Sequence, residues 1–554
     1  MKKIIIYQLF TRLFGNRNLT RRAWGTVAEN GCGKFADIDE PTLRQIKSLG
    51  ATTVWYTGVI RHASQTDHSL YGIPCQHAEI VKGKAGSPYA IADYYDVDPD
   101  LAVDVSRRME EWEALIERTH RVGLDVIMDF VPNHVAREYR SVCRPEGVQD
   151  LGENDDMSMH FSPANNFYYC WGQPLDLSNV VSGPEVSYRE QPAKATGNDR
   201  FDACPGRNDW YETVKLNYGI DYCDAGGRSE HFDPIPDTWL KMTEILLFWA
   251  SKGVDGFRCD MAEMVPPQFW SYATARVKGL FPDMKFIGEV YNPGLYTTYI
   301  SAGFDYLYDK VGMYDCLRDV VCGHRPASDI SRQWQQTDGI LDHMLYFLEN
   351  HDEQRIASDF FCGNTRAAVP AHIVACLLGR NPYMLYAGQE FGERGMDNEG
   401  FSGVDGHTTI FDYWALDTLQ RGYFKAGKLT GEESELRGIY QKVMRLATTE
   451  RVFTDGEMFD LMYVNPQLAD RQYAFLRKTG NRLALVVVNF SASDVQAEVR
   501  IPSHAFDFLK IKETKTTAVE LLTKQKVELE LKAEGLLNTK VPAYGGVIYK
   551  MQLS

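Results

Sequence analysis

Eight short apolar or β-branched runs, alternating with amphipathic helices up to Tyr386, constrain this chain more than any other feature. They are Lys3–Phe10, Thr52–Tyr56, Asp125–Phe130, Gly256–Arg258, Lys285–Gly288, Phe304–Tyr308, Met344–Phe347 and Tyr383–Tyr386. Val105–Val122 carries Met109, Trp112, Leu115, Ile116 and Thr119 at three- and four-residue steps, the spacing of a helix with one buried stripe. Trp239–Lys252, Pro267–Leu280 and His372–Arg380 read as further helices. This alternation predicts an α/β fold, a closed TIM (β/α)8 barrel whose functional groups gather at the C-terminal ends of the strands.

Two interruptions shape the rest. From Phe130 to Gly256 is 126 positions, far more than one crossover helix, and residues 135–231 are polar, rich in Gly, Pro and Asn and without helical period. A loop of that length is functional or a small domain of its own, so an inserted subdomain after strand 3 is expected. Beyond residue 450 the pattern turns to strands alone: Tyr473–Leu476, Leu483–Phe490, Val495–Ile501, Thr516–Leu521, Val527–Leu531 and Gly546–Met551. The expected division is a barrel in two parts, 1–134 and 232–449, an insert at 135–231 and a C-terminal antiparallel β-sandwich at 450–554.

Composition narrows the partners. With 59 basic and 75 acidic residues the net charge is −16, which repels phosphate backbones and anionic lipid and argues against a nucleic-acid or membrane-surface role. No apolar run approaches the ~20 residues of a membrane span, and no signal-like stretch follows the start. Eleven cysteines without a C-x-x-C pair fit neither a disulfide framework nor a zinc ribbon. A cytoplasmic location is the expectation. Aromatic residues make up 12%, a composition that suits ligands with flat apolar faces such as sugars. Nothing in the residues sets an oligomeric state.

The strand ends carry charge where a barrel has no structural need of it. Asp129, Asn133 and His134 follow strand 3 in Asp-Phe-Val-Pro-Asn-His. Arg258 and Asp260 end strand 4, Glu289 ends strand 5, and His351 and Asp352 end strand 7. Singly, each acid could be a loop cap; four such ends together point to chemistry. Paired carboxylates suit glycosidic cleavage, where one anion meets the anomeric carbon and a protonated carboxyl donates to the leaving oxygen. Arg258 shares a strand face with Asp260 and is placed to keep it ionised. Glu289 lies among Phe286, Ile287 and Val290, an apolar setting that would raise its pKa. The two histidines would donate hydrogen bonds to sugar hydroxyls.

These stretches resemble the four signature regions of the α-amylase family of retaining α-glycosidases and transglycosidases. Tyr7-Gln8-Leu9-Phe10, Ser87-Pro88-Tyr89 with Asp93-Tyr94, and Tyr386-Ala387-Gly388-Gln389-Glu390 resemble further segments of that family. The resemblance implies Asp260 as nucleophile, Glu289 as acid/base and Asp352 as the holder of the 2- and 3-hydroxyls. It implies Arg258, His134 and His351 lining the cleavage subsite, beside Asp129, with Tyr89 as stacking platform. Arg355 would either contact the sugar or brace the loop. The resemblance also implies a structural calcium, with Asn133 as ligand. Where many relatives carry Lys-His after the nucleophile, this chain has Glu263 and Met264, so only a Met264 carbonyl remains to replace the histidine's.

The implied activity is hydrolysis of α-1,4 bonds in maltooligosaccharides or starch-derived glucans, without a cofactor for the chemistry. A transglycosidase or isomerase would share the first half-reaction, and a barrel reduced to sugar binding or partner support would have lost its acids. Other features read as structural. Gly31-Cys32-Gly33 is a turn, Cys259 is core packing, and His62, His68 and His77 are solvated loop residues. Asn166 to Trp171, and Asp209-Trp210-Tyr211, are either core or sugar platforms.

Overall fold

The computed structural model describes residues 3–182, 186–425 and 428–553. Strands β1 (Ile5–Phe10), β2 (Thr53–Thr57), β3 (Asp125–Phe130), β4 (Gly256–Cys259), β5 (Lys285–Gly288), β6 (Tyr306–Tyr308), β7 (Met344–Phe347) and β8 (Tyr383–Tyr386) form a closed parallel barrel. Each pairs with the next, and β8 returns to β1 in the register Ile5–Tyr383 to Gln8–Tyr386. The barrel read from the sequence is present, with strand ends moved by no more than two residues.

Strand periodicity explains how the barrel aims its polar groups. Ile6, Trp55, Ile127, Ile287, Leu345, Phe347 and Met384 fill the interior as one apolar cluster. Side chains alternate, so the residue two positions further along each strand also points inward, but at the C-terminal rim. That step carries Ile127 to Asp129, Ile287 to Glu289 and Phe347 to Glu349. The intervening residues face outward: Met128, Phe257, Cys259 and Phe286 belong to the larger core between strands and helices.

Between β3 and β4 the insert is built from two-stranded pieces. His134–Ala136 pairs with Thr213–Lys215, Tyr169–Cys170 with Ala193–Lys194, and Ile220–Asp221 with Ser229–Glu230. It has a small core of its own, including Cys170, Leu175, Leu177, Tyr188 and Tyr211. Residues 166–170 are buried, whereas Trp171 is 65% exposed, so the aromatic run divides between core and surface. A hairpin that the sequence reading did not find, Ile60–His62 with Ile91–Val97, follows β2. It corrects the reading of His62 as solvated: the ring is buried, 2.9 Å from Asp98 Oδ2. His68 is likewise held, 2.9 Å from Asp100 Oδ1.

The C-terminal part contains β9 (Glu457–Asp460), β10 (Gln472–Thr479), β11 (Arg482–Asn489), β12 (Val495–Ile501), β13 (Thr514–Glu520), β14 (Lys526–Leu531), β15 (Gly535–Val541) and β16 (Gly545–Gln552). Six of them make an antiparallel sheet in the order β9-β10-β11-β16-β13-β14, accompanied by the antiparallel pair β12-β15. β9, β15 and the helix Ser503–Leu509 were not expected. Among the described residues no helix is long and apolar enough to cross a membrane. All eleven cysteines are free thiols.

Candidate active site

Arg258 organises the rim. Its guanidinium, fully buried, lies 2.7 Å from Asp260 Oδ1 and 2.7 Å from Glu289 Oε2, with Asp129 Oδ1 at 3.5 Å and Asp352 Oδ2 at 3.9 Å. Its Nε donates to the Tyr308 hydroxyl at 3.2 Å. The two terminal nitrogens of one planar guanidinium have a fixed separation, so the contacted oxygens of Asp260 and Glu289 are at most about 8 Å apart. That bound meets the convergence that paired-carboxylate chemistry requires.

Electrostatics follow from burial around one cation. Burial lowers the arginine's hold on its proton, but Glu289, Tyr308, Tyr89 and Asp260 reverse this and raise its pKa well above the usual arginine value. Burial pushes Asp260 well above the carboxylate range; Arg258 opposes, while Glu289 and Asp352 add to the rise. Asp352 goes the other way: burial would raise it, yet His351 and Arg258 hold it below 3.8. Burial also raises Asp129, against Arg258 and His351.

Phe286 and Val290 face the outer core, and the Glu289 carboxylate itself is ringed by donors. Besides Arg258, the Met261 amide donates to Oε2 at 2.8 Å and the Tyr291 hydroxyl to Oε1. Met261 adopts φ +43°, left-handed backbone that costs a non-glycine residue about 1–3 kcal/mol, and so turns its N–H onto Glu289. Tyr291, two residues beyond Glu289, was legible by alternation alone. Glu263 accepts from the Tyr291 and Asn292 amides at 2.9 and 3.0 Å and thereby fixes this turn.

A cavity of about 250 Å³ opens above the acids. Tyr89, His134, Asp260, Glu289 and Asp352 line it; Asp129, Arg258 and His351 lie beneath and hold the lining in place. The Tyr89 ring stacks on His351 with centroids 5.3 Å apart, and His351 Nε2 lies 3.0 Å from Asp352 Oδ2. Gln8 fixes the other ring nitrogen at 2.7 Å. Arg355 does not line the cavity. It is buried against Glu349 Oε2 at 2.9 Å and Thr408 Oγ1 at 2.8 Å, over the Tyr386 ring, and braces the loop. The remaining walls are Ser87, Met261 and Tyr291 together with Lys82, Trp210, Glu212, Thr213, Ile410 and Phe411; Thr213 opens the insert strand Thr213–Lys215 and the others come from loops. Of these, Ser87 and Trp210 had a sequence signal, and Tyr291 only its alternation with Glu289.

The calcium expectation meets a lysine. The Lys215 ammonium, 2% exposed, donates to Asn133 Oδ1 and to the Met264 carbonyl at 3.3 Å, and pairs with Asp199 Oδ1 at 2.6 Å. The donor set a cation would need is already taken by a covalently attached positive charge, so these residues do not fit a bound metal. Asn133 still serves the site: its amide nitrogen lies 3.1 Å from His134 Nδ1 and donates to Gly197 O at 2.7 Å.

Residues 8–200 match the family profile described as "Alpha amylase, catalytic domain". The chain is 25% identical over 494 residues to α-amylase MalA of Haloarcula japonica, covering 88% of this chain and 55% of that protein. It is 24% identical over 394 residues to α-amylase 3 of Dictyoglomus thermophilum, covering 67% of this chain and 68% of that one. This chain thus spans about half the length of MalA. Its fold is that of the maltogenic α-amylase AmyB from Thermotoga neapolitana, with TM-score 0.65 and 20% identity over 100% of this chain and 99% of the other.

Proposed function

We propose that this chain, whose residues 8–200 match the α-amylase catalytic-domain profile, is a retaining α-glycosidase of the α-amylase family cleaving α-1,4-glucosidic bonds of maltooligosaccharides or starch-derived glucans. The single observation that carries the reading is the shared guanidinium, within 4 Å of four carboxylates. One guanidinium that pairs with both Asp260 and Glu289 brings a nucleophile and a proton donor to the same rim. In this mechanism Glu289 donates a proton to the leaving oxygen while Asp260 attacks the anomeric carbon. A β-glycosyl ester forms as the glycosidic C–O bond breaks; Glu289 then takes a proton from water, which displaces Asp260. Asp352 and the Tyr89–His351 stack hold the ring, and His134 contacts its hydroxyls.

The test is release of 4-nitrophenol from aryl α-glucosides and maltosides by wild type and Asp260→Asn. The variant is expected to lose roughly 10³-fold or more of kcat/KM; equal signals from both proteins would refute the glycosidase assignment. Product analysis with maltooligosaccharides, with and without added acceptor, then separates hydrolysis from glycosyl transfer, since only transfer lengthens the sugars.

A further inference from the structure

We infer that Trp24 is a platform for the glucose units next to the one held in the catalytic cavity, on the non-reducing side of the cleaved bond, and that it makes the enzyme favour a long glycone. This rests on the glycosidase reading above. Trp24 is 50% exposed, and its indole N–H donates to no group among the described residues. Its ring meets Phe401 edge-on with centroids 6.1 Å apart, and Phe401 meets Phe411 at 4.8 Å. Phe411 lines the catalytic cavity. The three rings therefore form one row from the cavity wall out to solvent. The apolar faces of sugars pack on aromatic rings, and a pyranose is about as wide as such a ring, so a glucan passing Phe411 reaches Trp24 within about two residues.

The backbone holds Trp24 there under strain. It sits at φ +61°, and Arg21, three residues earlier, at φ +46°, left-handed backbone that only glycine adopts freely. Arg21 pins the segment to the region after β8, to Asp397 at 3.2 Å and Asp417 at 3.1 Å. Asn30 closes the turn, accepting from the Arg22 amide at 2.9 Å and donating to the Arg22 carbonyl at 2.8 Å. An anchored, strained turn that presents an apolar ring to water beside a sugar cavity points to a contact with substrate. The barrel decides on which side of the bond. Its strand order sets β5 opposite β1. Glu289, the proton donor to the leaving group, ends β5, whereas Trp24 follows β1 and Phe401 and Phe411 follow β8. The leaving group lies toward Glu289, so the aromatic row stands on the glycone side.

The experiment measures kcat/KM for release of 4-nitrophenol from its α-glucoside, α-maltoside and α-maltotrioside by wild type, Trp24→Gly and Trp24→Phe. Each added glucose extends the glycone toward Trp24, and glycine removes the ring without straining the backbone. Wild type is expected to gain as the glycone lengthens. Trp24→Gly is expected to lose roughly tenfold on the maltotrioside, through KM, against a loss of no more than about threefold on the glucoside. Trp24→Phe keeps an aromatic face and is expected to recover most of the difference. Equal losses on all three substrates, an undiminished advantage of the maltotrioside in Trp24→Gly, or no dependence on glycone length in an active wild type overturns the platform while leaving the glycosidase reading intact. Wild-type activity no greater than that of Asp260→Asn on every substrate overturns both. If Trp24→Gly does not fold, Trp24→Asn, which also tolerates left-handed backbone, carries the same comparison.

Discussion

Lys215→Met tests whether the insert is tied to the barrel by an internal cation. The lysine is 2% exposed, and its removal strips a donor from Asn133 Oδ1 and Met264 O and an ion-pair partner from Asp199, itself 34% exposed. Breaking a fully buried pair costs about 3–5 kcal/mol, but the partly solvated Asp199 recovers some of that, which leaves roughly 3 kcal/mol. At about 2.1 cal/mol/K per residue, a unit of roughly 450 residues has an unfolding entropy of about 0.9 kcal/mol/K, so the melting temperature should fall by roughly 3 °C. Differential scanning calorimetry reads the shift, and limited proteolysis should cut first within the insert. In parallel, excess EDTA is expected to leave the wild-type melting temperature unchanged. A variant melting within about 1 °C of wild type, or a wild type destabilised by the chelator, would refute the reasoning.

Two further outcomes follow from the site. Glu289→Gln should lower turnover of natural glucans by roughly 10³-fold yet largely spare aryl glycosides, whose leaving groups need little protonation; equal damage to both classes contradicts the acid role. His134→Gln should lower kcat/KM about tenfold without moving either limb of the pH–rate profile. Its folded pKa of about 3 leaves the ring neutral at every higher pH, and protonation would begin only as pH falls through that value; a displaced limb would show that the ring exchanges protons during turnover.

The barrel and its charged rim were legible because their signals are local. A buried run followed two residues later by Asp129 or Glu289 is both a strand and its functional end. Tyr291 obeys the same period. Lys215 and Glu212 carried no such mark. They lie in a segment without periodicity, and their partners Asn133 and Lys82 are 82 and 130 positions away, so only the folded insert brings them together. For Arg355 the sequence left two roles open, contact with the sugar or bracing of the loop, and closeness to Asp352 alone did not choose between them; Glu349 holds its guanidinium behind the rim. β9 and β15 escaped because they are short or interrupted by polar residues, and Ser503–Leu509 breaks an otherwise all-strand stretch.

Sharing one guanidinium among four acids makes their mutational effects epistatic. Neutralising one acid lets Arg258 redistribute toward the remaining ones, so the second substitution is made on a different electrostatic background from the first. Double variants at this rim will not sum, and engineered changes of chemistry there are best attempted with the cation and its anions altered as a set.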